Sequence, residues 1–322
     1  MPGASDSRLL DAQVAIELDA AVPAAVRVFA ARLAARIGPP AVAVLYYGST
    51  LREGTHDGLL DFYVLTDAPG DGPGSRWARW ANRWLPPQVG WIDDVVDGRT
   101  LRAKYALLSS RQFASAMRVA CLDTTIWARF SQPCACVWLR DGAAGSEAPA
   151  ARALRAAVVD AIVTAARWAA WLGPERAPPL DYWRALYAHT YAAELRVERS
   201  SRGADLVAAA ANRYAALLVA CWRYVGIDFE TFADGSVAPR LGAAERRAAR
   251  RRWRRRQRLG RPLNLLRLAK ATLTFDRAID YVAWKVERHS GVHIEPTAFQ
   301  RRHPLLAAPF VYWRLRRERV LR

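Results

Sequence analysis

Ala41-Val-Ala-Val-Leu-Tyr-Tyr47-Gly48-Ser49 and, after a polar loop, Leu59-Leu60-Asp61-Phe62-Tyr63-Val64-Leu65 are the stretches that decide the fold. Each apolar run is too short for a stable helix and is bounded by turn residues, so each reads as a buried strand. Gly38-Pro39-Pro40 separates the first strand from what precedes it, and Gly48-Ser49 turns the chain out of it. Asp61 then sits among Leu59, Leu60, Phe62 and Val64, where an ionised carboxylate is costly without a partner. One chemistry explains this set. Glycine lets the backbone approach a phosphate closely. A serine hydroxyl and neighbouring N–H groups donate to phosphate oxygens. A carboxylate twelve residues beyond Ser49 can hold a divalent cation that bridges those phosphates. The competing reading is a plain Gly-Ser turn and an Asp satisfied by a local hydrogen bond.

Outward from this centre the chain alternates elements. Residues 8 to 36 read as one or two helices, with apolar positions at helical spacing. Ser75 is placed to cap a helix from Arg76 to Leu85. Val89–Val96 and Arg99–Leu108, joined by Asp97-Gly98, read as a hairpin. A helix is expected over 110–131 and a strand over 133–141, with a small polar linker over 142–149. The rest reads as mostly helical, at 150–172, 181–198, 203–225 and 263–289, with an arginine-rich stretch before the last.

Composition narrows the partners. Hydrophobic residues make up 52% of the 322, which excludes wholesale disorder. The net charge of +18, from 48 Lys plus Arg against 30 Asp plus Glu, points to an anionic partner. Ten of the arginines lie between Arg246 and Arg261, so one segment carries much of the excess. Cys121, Cys134, Cys136 and Cys221 have no zinc-site spacing and read as reduced core residues. No secretory or transit signature is expected at the N-terminus, and no uncharged apolar run reaches the roughly 18 residues that span a bilayer.

The Gly-Ser strand followed by a carboxylate strand resembles the polymerase-beta type of nucleotidyltransferase. Further matches follow in order. Gly98-Arg99 runs to Lys104-Tyr105 and an apolar stretch ending at Ser109; Trp127-Ala-Arg129 precedes Pro133; Tyr187 to Val197 contains Glu194 and Arg196; and Ala269-Lys270 leads to Thr274. With Tyr47-Gly48-Ser49 and Leu60-Asp61-Phe62, these are similar to the mitochondrial-type phosphatidate cytidylyltransferases, the translocator assembly and maintenance family, which has bacterial relatives. The matches span roughly residues 41 to 285, with Ala128, Gln132 and Ala271 standing where the family has Gly, Lys and Gly.

The resemblance implies an α+β chain with three parts: a nucleotidyltransferase domain over 1–145, a mostly helical, winged-helix-like domain over 146–240, and a basic, membrane-facing C-terminal region over 241–322. It implies transfer from CTP to phosphatidate in an anionic membrane, giving CDP-diacylglycerol and pyrophosphate, with Mg2+ held by Asp61. Asp61 and Glu194 are then catalytic candidates, Gly48, Ser49, Lys104 and Tyr105 nucleotide-binding candidates, and Arg129 and Lys270 contacts to substrate phosphate. Tyr63 stands where a second carboxylate is usual, so Asp57, Asp93, Asp94 and Glu194 are the other acids to consider.

Each cation has a bland alternative, as a solvated residue or a partner of a surface acid, and Glu194 as a helix-surface residue. The run Arg246–Arg261 reads either as a solvated basic arm or as a phospholipid-binding surface. The stretch from Leu305 to Trp313, followed by arginines, has the parts for interfacial insertion. The expected location is cytoplasmic, peripheral on the membrane face. A nucleotidyltransferase acting on nucleic acid or another small acceptor is the alternative, disfavoured because no aromatic–basic interleaving of the stacking kind is found. A binding module that keeps the fold without turnover is the other alternative, suggested by Tyr63.

Overall fold

The computed structural model describes residues 4–55, 58–193, 202–274 and 297. Its centre is a five-stranded mixed sheet in the order β3-β4-β2-β1-β5. The strands are β1 (Ala41–Tyr47), β2 (Leu59–Thr66), β3 (Gln88–Val96), β4 (Arg99–Ser109) and β5 (Ala135–Leu139). β2 and β4 run parallel, and the other neighbours are antiparallel. Asp97 and Gly98 both take positive φ (50° and 74°), the backbone that closes a two-residue hairpin between β3 and β4.

The two faces of the sheet meet different partners. One face, with Tyr46, Phe62 and Leu107, packs on α2 (Ala24–Ile37). That helix contributes Val26, Phe29, Leu33 and Ile37, three or four residues apart and therefore on one side. The other face, with Leu45, Tyr63 and Ala106, opens into the main core. This core is helical: α1 (Ala4–Leu18), α5 (Ser110–Met117), α6 (Thr125–Phe130), α7 (Pro149–Leu172), α8 (Pro179–Ala193) and α10 (Ala211–Tyr224). α3 (Ser49–Glu53) and α4 (Arg76–Trp84) lie beside the sheet, and α9 (Arg202–Ala208) beside α8. A small hairpin, β6 (Phe229–Thr231) and β7 (Val237–Pro239), precedes the long α11 (Ala243–Thr274). Trp127, Trp168, Trp183, Trp222 and Trp253 are all buried in the helical body.

Sheet and helices share one hydrophobic cluster, running from Leu10 and Val14 through Tyr63 and Leu65 to Trp253. The segment 142–149, expected as a linker, is tied down instead. Asp19 accepts from the Ala144 and Gly145 N–H groups at 3.1 and 2.8 Å, and Arg155 donates to the Ala144 and Ser146 carbonyls. Glu17 of α1 holds Arg213 of α10 through two hydrogen bonds of 2.7 and 2.8 Å, so the N-terminal helix belongs to the helical body.

Three helix expectations are corrected. The helix expected over 110–131 breaks between α5 and α6. Asp123 there accepts from the Thr125 N–H, and Arg256 of α11 donates to the Val119 and Cys121 carbonyls, so a distant side chain stabilises the non-helical backbone. The helix expected over 203–225 divides into α9 and α10. The arginine-rich stretch and the segment from 263 form one helix, α11, with Pro262 inside it. The expected continuations over 194–198 and 275–289, and the apolar-cationic tail, lie outside the described residues. Among the described residues no helix is long and apolar enough to cross a membrane.

Candidate active site

Sheet register assembles the site. Tyr47, at the end of β1, pairs with Asp61 on β2, and Asp61 pairs with Lys104 on β4. Partners in register on neighbouring strands, about 4.8 Å apart, project to the same face. That face is the one carrying Leu45, Tyr63 and Ala106, toward the helical body. Asp61 and Lys104 are both partly exposed where the sheet opens to solvent.

Gly48 is required at this corner for two reasons. Its φ is +100°, a region that side chains rarely adopt. A Cβ built there would lie 3.0 Å from Asp61 Oδ2. The glycine therefore lets its backbone lie directly against the carboxylate. Ser49 begins α3 immediately after it.

Arg129, from α6, reaches the same face. Its Nη1 donates to Tyr63 Oη at 2.9 Å, and its guanidinium lies over the Tyr47 and Tyr63 rings at 5.3 and 5.8 Å from their centroids. Phe130 closes this aromatic group, edge-on to Tyr63 at 4.9 Å. Tyr63 thus places a phenol, held by an arginine, two residues along the strand from Asp61. The structure brings together Gly48, Ser49, Asp61, Lys104 and Arg129.

The remaining candidates lie elsewhere. Tyr105 follows Lys104 on β4 and projects to the opposite face, against α2, with its ring covering Gly90. Lys270 is buried on α11, and its Nζ donates to the Leu85 and Pro87 carbonyls, both at 2.6 Å. Pro87 immediately precedes the start of β3, where Gln88 pairs with Leu107, so Lys270 is at the other end of the sheet from Asp61. Burial, reinforced by nearby Arg267, pulls its amine down to about 8. Asp94 faces α2 and pairs with Arg32 and Arg36. Asp93 shares the Asp61 face but is two strands away and level with Leu59, about 12 Å from Asp61. Glu194 and Asp57 lie outside the described residues.

Other reactive side chains are inert or distant. Burial pushes Cys136 and Cys221 up to about 12, so neither is a nucleophile. His189 lies on the helical body against Trp253; burial first, then Arg250, depresses its pKa. Among the described residues, no three His, Cys, Asp or Glu side chains gather as a metal cluster. The site's metal-binding potential therefore rests on Asp61, one carboxylate beside a backbone that phosphates can approach. That fits Mg2+, which often takes one or two protein carboxylates and completes its octahedron with substrate phosphates and water.

Sequence reasoning missed the Tyr47–Tyr63–Phe130 cradle under Arg129, although alternation along β1 and β2 puts both tyrosines on the Asp61 face. It also missed an aromatic–basic segment. Arg76-Trp77-Ala-Arg79-Trp80-Ala-Asn-Arg83-Trp84 is such an interleaving, and all three tryptophans are exposed on α4. No family model matches the chain, and no curated protein matches it either.

Proposed function

We propose that this chain is a metal-dependent nucleotidyltransferase that passes a cytidylyl group from CTP to phosphatidate. The observation that carries the reading is the meeting of Gly48 and Asp61: a positive-φ glycine whose missing side chain lets the backbone lie against a carboxylate. The sheet order and the parallel pairing of the Asp61 and Lys104 strands support it, as does the motif order along the chain. The reading of the acceptor as a lipid phosphate rests on the family resemblance and on the cationic surface.

In the proposed reaction a phosphatidate oxygen attacks the α-phosphorus of CTP. The bond from that phosphorus to the bridging oxygen breaks, and pyrophosphate leaves with the electron pair. The nucleophile is already ionised, so the site needs no strong general base. Its work is positioning and charge neutralisation. Ser49 and the backbone beside Gly48 donate to triphosphate oxygens. Lys104 and Arg129 supply positive charge on the same face. Tyr63 fixes the direction of Arg129. Mg2+, held by Asp61, would neutralise phosphate charge when bound.

The test is pyrophosphate release from CTP with magnesium, with and without phosphatidate. Release stimulated by phosphatidate supports the proposal. Tyr63 in place of a second carboxylate favours a second reading, a binding module without turnover. Absence of release with every phosphate acceptor supplied would select it.

A further inference from the structure

α4 presents an unusual outer surface. Trp77, Trp80 and Trp84 are 54%, 53% and 72% exposed. At about 100° per residue these three fall within an arc of roughly 60°, and Arg76, Arg79 and Arg83 fall within the adjacent arc. Ala78, Ala81 and Asn82 form the buried side, with Asn82 donating to the Leu107 carbonyl, so the helix is fixed with its tryptophans outward. Trp77 and Trp80 stack on each other at 4.9 Å. The arginines and these two tryptophans border a cleft of about 890 Å³ beneath the Gly70–Gly72 loop.

A second element adds to the same corner. Arg267 and Lys270 of α11 bind the carbonyls of Pro86, Leu85 and Pro87, just beyond Trp84. The outward residues of that stretch are Leu265, Leu266 and Leu268, all more than half exposed. Bulky apolar side chains on two elements, with guanidinium groups beside them, match one environment: the boundary of an anionic bilayer. Tryptophan partitions to the headgroup level, and arginine binds lipid phosphate.

We infer that α4, with the neighbouring leucines of α11, is the surface on which the protein docks to an anionic phospholipid membrane. This deepens the lipid reading above. The surface is set apart from the chemistry: Asn82 of α4 binds Leu107, in register with Val64, three residues or about 10 Å along β2 from Asp61, and the tryptophans project away from that contact. It holds the protein at the membrane and takes no part in nucleotide transfer.

The experiment uses the full chain with vesicles of phosphatidylcholine alone, or of equal parts phosphatidylcholine and phosphatidate, some carrying brominated acyl chains. The expected results are binding to the anionic vesicles and bromine quenching of tryptophan fluorescence. Trp77→Ser/Trp80→Ser/Trp84→Ser is expected to weaken binding by more than about a hundredfold, since each loses a large buried aromatic area. Arg76→Gln/Arg79→Gln is expected to weaken it by roughly thirtyfold, about fivefold for each charge. All these side chains are on the exposed side of α4, and circular dichroism checks that the variants fold. Both variants should keep wild-type pyrophosphate release with a water-soluble short-chain phosphatidate, so loss of docking is distinguishable from loss of chemistry. Undiminished vesicle binding by the tryptophan variant would overturn the inference. So would binding that is abolished only by truncation after Arg302, loss of single-stranded RNA binding in place of vesicle binding, or a wild-type dimer that the tryptophan variant dissolves.

Discussion

The Asp61 corner and α11 both carry cations, and the fold uses them in opposite ways. At the corner, Lys104 and Arg129 come from separate elements and are set by strand register and by an aromatic cradle around one carboxylate. Along α11 the cations are consecutive in sequence, and the helical period sorts them. Arg256 and Lys270 fall on the inner side with Ala249 and Trp253, and both cap backbone carbonyls. Arg247, Arg251, Arg254, Arg255 and Arg258 fall on the outer side and are exposed. A charge run in sequence is therefore not one functional unit. Part of it builds the fold, and only the outer part can meet an anion.

The sharpest way to break this contrast is at Asp61. Asp61→Asn keeps size and removes the charge that would hold a metal, so activity should fall by about a thousandfold or more with the fold intact. A folded variant within a few-fold of wild type would remove Asp61 from the mechanism. Next comes a paired test on α11. Arg256→Ala deletes the hydrogen bonds to Val119 and Cys121 and the contact over Trp168, 4.4 Å from its centroid. It should cost about 3 kcal/mol in urea unfolding, while neighbouring Arg255→Ala should stay within about 0.5 kcal/mol. Equal costs would erase the inner–outer distinction.

Ser49→Ala should act more mildly than Asp61→Asn, raising the CTP requirement by about tenfold, because one donor is lost and the backbone donors remain. Unchanged activity and CTP affinity would make Gly48-Ser49 a structural turn. The smallest effect concerns Lys270. Its amine titrates at about 8 in the folded chain against an ordinary value of 10.5, burial being the larger cause. Between those values the unfolded chain holds more protons, so stability should rise with pH across that window. Thermal unfolding of Lys270→Met should lack this rise. A wild-type curve no steeper than the variant's would show that the amine is not held down by burial.

The centre of the fold was legible because its punctuation is local. Gly38-Pro-Pro40, Gly48-Ser49 and Asp97-Gly98 bound short apolar runs, and the strands fall between them. Alternation puts Tyr63 on the Asp61 face, and it contained more than was read from it: it also sets Tyr105 opposite Lys104. The break between α5 and α6 was not legible, since the side chain that binds its carbonyls, Arg256, comes from more than a hundred residues away. The inward role of Lys270 was hidden for the same reason. The tryptophan side of α4 is legible by helical period, at Trp77, Trp80 and Trp84, although its cations are sparser than those of the run from Arg246 to Arg261.

The proposal that the chain moves a cytidylyl group onto a lipid phosphate is tested most directly by following the label. The purified full chain is incubated with CTP labelled at the α-phosphate, magnesium and phosphatidate vesicles, and the products are partitioned between chloroform and water. Wild type should carry label into the chloroform phase in step with pyrophosphate release, and Asp61→Asn should carry none. Pyrophosphate release with all label remaining in water, or lipid labelling that persists in Asp61→Asn, would contradict the proposal.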